Sequence, residues 1–131
     1  MYDTKYFHYY NANPKGRKTD DCVVRAIATA TGQSWDETLM GLTKCAIKNK
    51  YMVHCSQLYG KYLEELGFKK QKQPRKSNNK RYRANEFVQK FQGIAVANLG
   101  QLHVACIKDG KVWDIWDSSN EIVGNYWTKN A

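Results

Sequence analysis

The stretch that decides the fold is Thr19-Asp20-Asp21-Cys22-Val23-Val24-Arg25-Ala26-Ile27-Ala28-Thr29-Ala30-Thr31-Gly32. Thr19 or Asp20 is a favourable N-cap, and Gly32 is a favourable residue just beyond a helix C-terminus. Between them only Arg25 and the threonines are polar, which predicts a helix covered by protein on most sides. Cys22 falls in the first turn, where backbone N–H groups stabilise a thiolate. The stretch therefore predicts a buried helix that begins with a reactive cysteine.

The size of the chain indicates one domain. At 131 residues, of which 42% are hydrophobic, residues 1–131 can bury a single substantial core. There is no apolar run long enough to cross a membrane, and the first twenty residues lack the apolar segment of a secretory signal. We expect a cytoplasmic protein without membrane contact, in which the four cysteines are free thiols.

The cysteines do not follow the spacing of a zinc site. No two of them form a Cys-x-x-Cys pair, and His54 and Cys55 are adjacent in the sequence. Adjacent residues rarely serve together as ligands of one tetrahedral metal. We therefore expect neither a metal nor another cofactor.

A strongly basic segment occupies residues 69–83 and carries much of the net charge of +9. It contains no acidic residue and no apolar periodicity, which predicts an exposed, mobile loop. The favoured interpretation is a solvated connection. The alternative is that Lys69, Lys70, Arg75 and Lys76 contact a substrate, a nucleic acid or another acidic partner.

The remaining sequence predicts helices first and strands afterwards. Ser34 and Glu37 form a capping box at the start of the second helix. The predicted elements are an edge strand within 2–10, helices from 34 to about 49, from about 56 to 66 and at 84–91, and strands at 94–97, 102–107, 112–116 and 121–127. This order indicates an α+β domain with an antiparallel sheet.

A cysteine at the N-terminus of a buried helix, His103 at the start of a strand and an acid on the next strand together resemble the compact papain-like cysteine peptidase fold. The local sequence is similar to that of small papain-like proteins encoded by bacteriophages. The similar segments are residues 21–27, Thr31-Gly32, Trp35-Asp36-Glu37 and 103–118. The resemblance covers most of the chain from residue 13 onward. It implies a phage-related protein that acts in the cytoplasm of a host cell.

The resemblance gives each member of the constellation a role. Cys22 is the expected nucleophile, His103 is the expected general base, and an acid fixes the tautomer of the imidazole. A two-residue turn at Asp109-Gly110 places Asp114 on the face of His103, whereas a three-residue loop with a bulge brings Asp117 there. The resemblance favours Asp117, with Asp114 as the alternative.

The segment before Cys22 offers several candidate donors for an oxyanion. Papain-like enzymes use a glutamine shortly before the cysteine, but residues 11–19 contain none. Asn13 or Asn11 is the expected replacement, and Lys15 or Arg17 can supply positive charge. Trp116 follows Asp114 on the last part of its strand and is expected to contact substrate.

Three functions remain open at this point. The first is a cysteine peptidase or an amide or isopeptide hydrolase that acts on a protein or peptide. The second is a papain-like fold without catalysis, which binds or inhibits a host protein or a nucleic acid through its basic surface. The third is a transferase that passes the acyl group to an amine instead of water.

Overall fold

The computed structural model describes residues 2–129 and contains four helices and six strands in that part of the chain. The helices are α1 (Cys22–Thr31), α2 (Trp35–Asn49), α3 (Ser56–Glu65) and α4 (Ala84–Phe87). The strands are β1 (Phe7–Tyr9), β2 (Lys69–Gln71), β3 (Ile94–Leu99), β4 (His103–Lys108), β5 (Lys111–Asp114) and β6 (Val123–Thr128). The predicted α+β class, with most helices before most strands, is confirmed.

The strands form one sheet in the order β1-β5-β4-β3-β6-β2. Four of the five pairings are antiparallel, but β1 runs parallel to β5. The prediction of a purely antiparallel sheet is therefore wrong. A parallel pair needs a long connection, and here all four helices and three strands lie between its two members.

The sheet separates two apolar layers. Alternation along β3 and β4 sends Val96, Val104 and Cys106 to one face, where they pack with α1, α2 and α3. Leu99 and Ile107 belong to the other face, which the short helix α4 covers with further apolar residues. Helix α1 packs mainly on β4, so the first residue of α1 lies beside the beginning of that strand. None of the helices between residues 2 and 129 has the length and apolar character that a membrane span requires.

The sequence predicts the C-terminal end of α1 correctly but not its N-terminal end. Gly32 adopts a left-handed conformation with φ of 78°, as predicted, and its N–H donates to the carbonyl of Ala28. At the other end, the N-cap position is Asp21 instead of Thr19 or Asp20, and its side chain makes no capping hydrogen bond. The Asp21 carboxylate pairs with Arg25 one turn later. Helix α2 begins with the predicted capping box of Ser34 and Glu37.

The connection between β4 and β5 is a two-residue turn. Lys108 pairs with Lys111, and both intervening residues have positive φ, 53° for Asp109 and 72° for Gly110. This is the geometry of a type I′ turn, whose twist matches that of the flanking strands. The register places Asp114 on the same face as His103, which is the first of the two arrangements that the sequence left open.

The basic segment is more regular than predicted. Residues 69–71 form β2 and pair with β6, and Arg75 forms a β-bridge with Arg81. The turn between Arg75 and Arg81 is closed by hydrogen bonds from Lys76 N–H to the Lys80 carbonyl and from Asn79 N–H to the Lys76 carbonyl. Residues 75–83 are called the basic hairpin below. The segment predicted as a loop is mostly exposed, as expected, but backbone pairing makes residues 69–71 a strand and bridges Arg75 to Arg81.

Candidate active site

The site is built where α1 begins and β4 begins. Cys22 is the first residue of α1, and His103 is the first residue of β4. The His103 ring is hydrogen-bonded through Nε2 to Asp114 Oδ2 at 2.5 Å, and it lies near enough to Cys22 to lower the pKa of the thiol. Because Nε2 is engaged by Asp114, Nδ1 is the ring nitrogen left for the sulfur. The three side chains therefore follow one another in the order thiol, imidazole and carboxylate.

The environment favours charge on both Cys22 and His103. Burial raises the pKa of Cys22, but hydrogen bonds from His103 and from the Val104 N–H, together with the charges of His103 and Arg25, hold it below the usual value of 9.0. Burial lowers the pKa of His103, yet Asp114 and Cys22 raise it to about 9. Shifts in these directions favour the thiolate–imidazolium pair over the neutral thiol and imidazole.

The acid beside His103 is Asp114, so the preference for Asp117 is corrected. Asp117 accepts hydrogen bonds from the N–H and hydroxyl of Ser119, which makes it a capping residue of the loop after β5. Asp114 is 1% exposed. Burial raises its pKa, but hydrogen bonds from His103, the Ser118 hydroxyl and the Ile115 N–H hold that pKa below 3.8. Asp114 is thus a buried carboxylate that stays ionised.

Arg25 links this carboxylate to a second one. Its Nη1 lies 3.1 Å from Asp114 Oδ1 and its Nε lies 2.7 Å from Asp21 Oδ1, while the residue is only 6% exposed. The other oxygen of Asp21 accepts hydrogen bonds from Trp35 Nε1 at 2.9 Å and from Asn13 Nδ2 at 3.3 Å. This buried network joins α1, α2, the loop before α1 and β5. Within this network Arg25 binds Oδ1 of Asp114, whereas His103 binds the other carboxylate oxygen, Oδ2.

Sequence reasoning missed the roles of Arg25, Asp21 and Trp35. A signal for the pair was present, because Arg25 follows Asp21 by four residues and is the one charged residue on an otherwise apolar helix. A buried arginine on such a helix needs a carboxylate partner, since an unpaired buried charge is very unfavourable. Nothing local in the sequence indicates the contribution of Trp35.

The oxyanion donors expected from the sequence are used elsewhere. Asn11 donates its side-chain amide to the Arg17 carbonyl, and Asn13 donates to Asp21. The carbonyl oxygens of the two side chains accept from the N–H groups of Asn13 and Lys15, respectively. Both asparagines thus shape the loop before α1, and neither lines the cleft at Cys22. Their assignment as oxyanion donors is not supported by these positions.

An open cleft of about 650 Å³ lies in front of the thiol. Its lining mixes polar and apolar residues and carries no acidic residue among those described: Cys22, Val23, His54, Ser56, Tyr59, Gln73, Asn98, Gly100, Gln101, Leu102, His103, Val104, Gly124 and Asn125. This is the cavity to which both Cys22 and His103 have access, so a substrate of the pair must enter here.

The floor of the cleft is held by Tyr59 and Asn98. The Tyr59 hydroxyl donates to Asn98 Oδ1 at 2.8 Å, and Asn98 lies at an irregularity in the pairing of β3 with β6. Burial, with the nearby Cys22 charge, raises the pKa of Tyr59 to about 12, so it remains a neutral donor. A Cβ atom on Gly124 would lie 3.2 Å from the Asn98 side chain, which makes a larger residue at 124 crowd this floor. No sequence pattern indicates these two residues.

The indole ring of Trp116 packs against the imidazole ring of His103. The two ring centroids are 4.9 Å apart, and the indole remains 41% exposed. Trp116 therefore shields the ring of His103 and also presents an apolar surface beside the site.

The other thiols are in different environments. All four cysteines are free; Cys45 and Cys106 are buried, whereas Cys55 is partly exposed. Burial raises the pKa of Cys106 to about 12. His54 lines the cleft, but residues 2–129 contain no group of three or more His, Cys, Asp or Glu side chains placed to hold a metal ion.

The basic residues predicted to bind a partner separate into two places. Lys69 and Lys70 lie on β2 beside Phe68 and Glu64. Arg75 and Lys76 line a different cavity within the basic hairpin, together with Lys80, Arg81 and Arg83.

Comparisons with protein-family models, with curated proteins and with solved structures found no match to this chain.

Proposed function

We propose that this protein is a papain-like cysteine hydrolase that cleaves amide bonds in polypeptides, with Cys22 as nucleophile, His103 as general acid and base, and Asp114 as the orienting acid. The observation that carries the proposal is the placement of Cys22 and His103 together at an open cleft, with His103 hydrogen-bonded to Asp114. The resemblance to small phage-encoded papain-like proteins supports the same assignment, and a phage origin is part of the proposal.

The chemistry follows from the ion pair. The Cys22 thiolate attacks the carbonyl carbon of a bound amide, and the carbonyl electrons move onto oxygen to give a tetrahedral intermediate. When the intermediate collapses, the C–N bond breaks and the imidazolium of His103 gives its proton to the leaving amine. Water then attacks the thioester while His103 accepts a proton from it. The C–S bond then breaks, which releases the carboxylic acid and regenerates the thiolate of Cys22 beside the imidazolium of His103.

The start of α1 supplies part of the electrostatic stabilisation. The first N–H groups of a helix have no intrahelical acceptors, and Cys22 is the first residue of α1. The N–H of Cys22 is therefore a donor for the oxyanion, and the helix dipole favours negative charge at the same point.

The proposal is tested first by the reactivity of the thiols. Brief treatment with iodoacetamide at neutral pH, followed by mass spectrometry, is expected to modify Cys22 well before Cys55, the other partly exposed cysteine. His103→Ala should slow the modification of Cys22 and leave that of Cys55 unchanged. Cys55 thus serves as the internal control for access to solvent.

Hydrolysis is tested with a peptide library prepared by digesting a whole proteome, with new peptide termini as the readout. Cys22→Ala is expected to abolish all new termini, and Cys55→Ala is expected to retain them. Folding of each variant is checked by circular dichroism. Equal alkylation of Cys22 and Cys55, or new termini that persist in Cys22→Ala, would overturn the assignment of the nucleophile.

A second function is favoured by a separate observation. The basic hairpin is an ordered cluster of cations, which supports a protein that works by binding an acidic partner or a nucleic acid without catalysis. Such a protein would keep its biological effect in Cys22→Ala and lose it when the hairpin charges are reversed. The activated thiol makes hydrolysis the better supported of the two.

A further inference from the structure

We infer that the basic hairpin extends the cleft and holds an acidic segment of the polypeptide whose amide bond lies at Cys22. The inference rests on the proposed hydrolase function and names its substrate class: polypeptides with aspartate or glutamate residues at some distance from the cleaved bond. It depends on the unpaired charge of the hairpin, on its fixed shape and on its connection to the cleft.

The hairpin presents more positive charge than its own surroundings neutralise. Five cations line its cavity of about 570 Å³: Arg75, Lys76, Lys80, Arg81 and Arg83. Among the ion pairs of residues 2–129, only Lys76 has a carboxylate partner within this group, namely Glu86. The remaining four side chains are exposed and available to an external anion.

The hairpin is fixed in shape. Arg75 donates to the Asn79 carbonyl, and Arg83 donates to the Asn120 carbonyl at 2.7 Å. The backbone of Arg83 also forms a bridge with Ile122, and the Val123 N–H donates to the Tyr82 carbonyl. A cluster of cations held in place in this way loses less conformational entropy on binding than a mobile loop does.

Gln73 connects the hairpin to the cleft. Its N–H donates to Asn125 Oδ1 at 3.0 Å, and its side-chain amide donates to the Val123 carbonyl at 2.9 Å. Gln73 and Asn125 both line the cleft that contains Cys22. On its other side, Gln73 Oε1 accepts from Arg75 Nη2 at 3.2 Å, so one residue touches both the cleft and the hairpin.

The cleft itself selects weakly by charge. Apart from the catalytic pair, the side chains that line it are amides, hydroxyls, small residues, Leu102 and His54. The carboxylate of Glu121 lies beside this lining, since its Oε1 would be 2.6 Å from a Cβ atom built on Gly100. Because the cleft offers amides and the hairpin offers cations, charge selection is assigned to the hairpin. A polypeptide fits this arrangement better than a nucleic acid, since the uncharged amides suit a peptide backbone.

The test uses the rate of Cys22 alkylation, which does not require a known substrate. An oligo-glutamate peptide is added at increasing concentration, with an oligo-glutamine peptide of the same length as the neutral comparison. The glutamate peptide is expected to slow the alkylation of Cys22 and to lose this effect at high salt. The glutamine peptide is expected to protect Cys22 much less.

The test variant is Lys80→Glu/Arg81→Glu, because among the described contacts neither side chain makes a hydrogen bond that holds the hairpin. Its apparent Kd for oligo-glutamate should rise by roughly tenfold or more. The matched control is Lys44→Glu/Lys48→Glu, which makes the same charge change on the exposed face of α2. The control should keep both the protection and the basal rate of Cys22 alkylation.

Three results would overturn the inference. They are equal protection by the two peptides, protection that survives in Lys80→Glu/Arg81→Glu, and binding of a short DNA duplex to the hairpin that is tighter than that of oligo-glutamate and leaves Cys22 alkylation unchanged. None of these affects the basal reactivity of Cys22 relative to Cys55. Failure of the hydrolase proposal would appear in that basal comparison, so the two failures are distinguishable.

Discussion

The replacement Asp114→Asn tests the electrostatic design of the site most directly. Asp114 is a buried carboxylate that accepts a hydrogen bond of 2.5 Å from His103, and this contact is a main reason that the pKa of His103 rises to about 9. Asparagine keeps the size of the side chain and removes its charge. The imidazolium then loses its stabilising partner, while the neutral imidazole does not.

The size of the effect follows from the type of contact. A hydrogen bond to a charged group contributes about 1.5–3 kcal/mol. The ratio of thiolate–imidazolium pairs to neutral pairs should therefore fall by roughly tenfold to a hundredfold in Asp114→Asn. Because only the thiolate reacts with iodoacetamide, the alkylation rate of Cys22 at neutral pH should fall in the same direction.

The assay is the alkylation rate of Cys22 as a function of pH. In the original protein the rate should rise at a lower pH than it does for an ordinary thiol, since the pKa of Cys22 is lowered and that of His103 is raised. In Asp114→Asn the rise in rate should move to higher pH. Asp117→Asn is the matched control, because Asp117 contacts Ser119 and should leave the profile unchanged.

Two outcomes would refute the reasoning. One is a profile for Asp114→Asn that coincides with that of the original protein. The other is a larger displacement for Asp117→Asn than for Asp114→Asn, which would return the orienting role to the acid first expected from the sequence.

Two further predictions concern the buried charges. Arg25→Met leaves Asp21 and Asp114 buried without their cation and should lower the free energy of unfolding by about 3–5 kcal/mol in urea titrations; a loss below about 1 kcal/mol would contradict it. The pKa of Asp114 is below 3.8 in the folded state, so its stabilising contribution is present above pH 3.8 and is lost as the pH falls through the lower folded value. Stability measured between pH 5 and pH 2 should therefore decline less in Asp114→Asn than in the original protein, and equal declines would argue against an ionised Asp114.

Local signals in the sequence predicted most of the elements. The capping box at Ser34 and the glycine at position 32 define helix ends through contacts within a few residues. The positions of Cys22 and His103 were likewise predicted, because the starts of α1 and β4 follow from those local signals. Interactions between residues close in sequence are what such patterns record.

The choice of acid shows where a local signal was given too little weight. Asp109-Gly110 is the dipeptide typical of a type I′ turn, and that turn alone places Asp114 beside His103. The resemblance to papain-like proteins favoured Asp117, and the prediction followed the resemblance instead of the turn signal at Asp109-Gly110. The turn chemistry was the better guide, because a shift of one residue exchanges the two faces of a strand.

The features that were missed depend on distant contacts. Strand β1 pairs with β5 across most of the chain, and β2 consists of polar residues that show no apolar alternation. The floor formed by Tyr59 and Asn98 joins a helix to a strand 39 residues later. No short window of sequence contains both partners of such contacts.

The network around Arg25 has a consequence for the making of the protein. Arg25 and Asp114 are 89 residues apart in the chain, and His103 is separated from Cys22 by a comparable length. At roughly 5–20 residues per second, the ribosome adds Asp114 roughly 4–18 seconds after Arg25. Until then the Cys22 thiol has neither its base nor the completed ion network, and its pKa is that of an ordinary thiol. The Cys22 thiol therefore acquires the surroundings that lower its pKa only when the hairpin of β4 and β5 docks on α1.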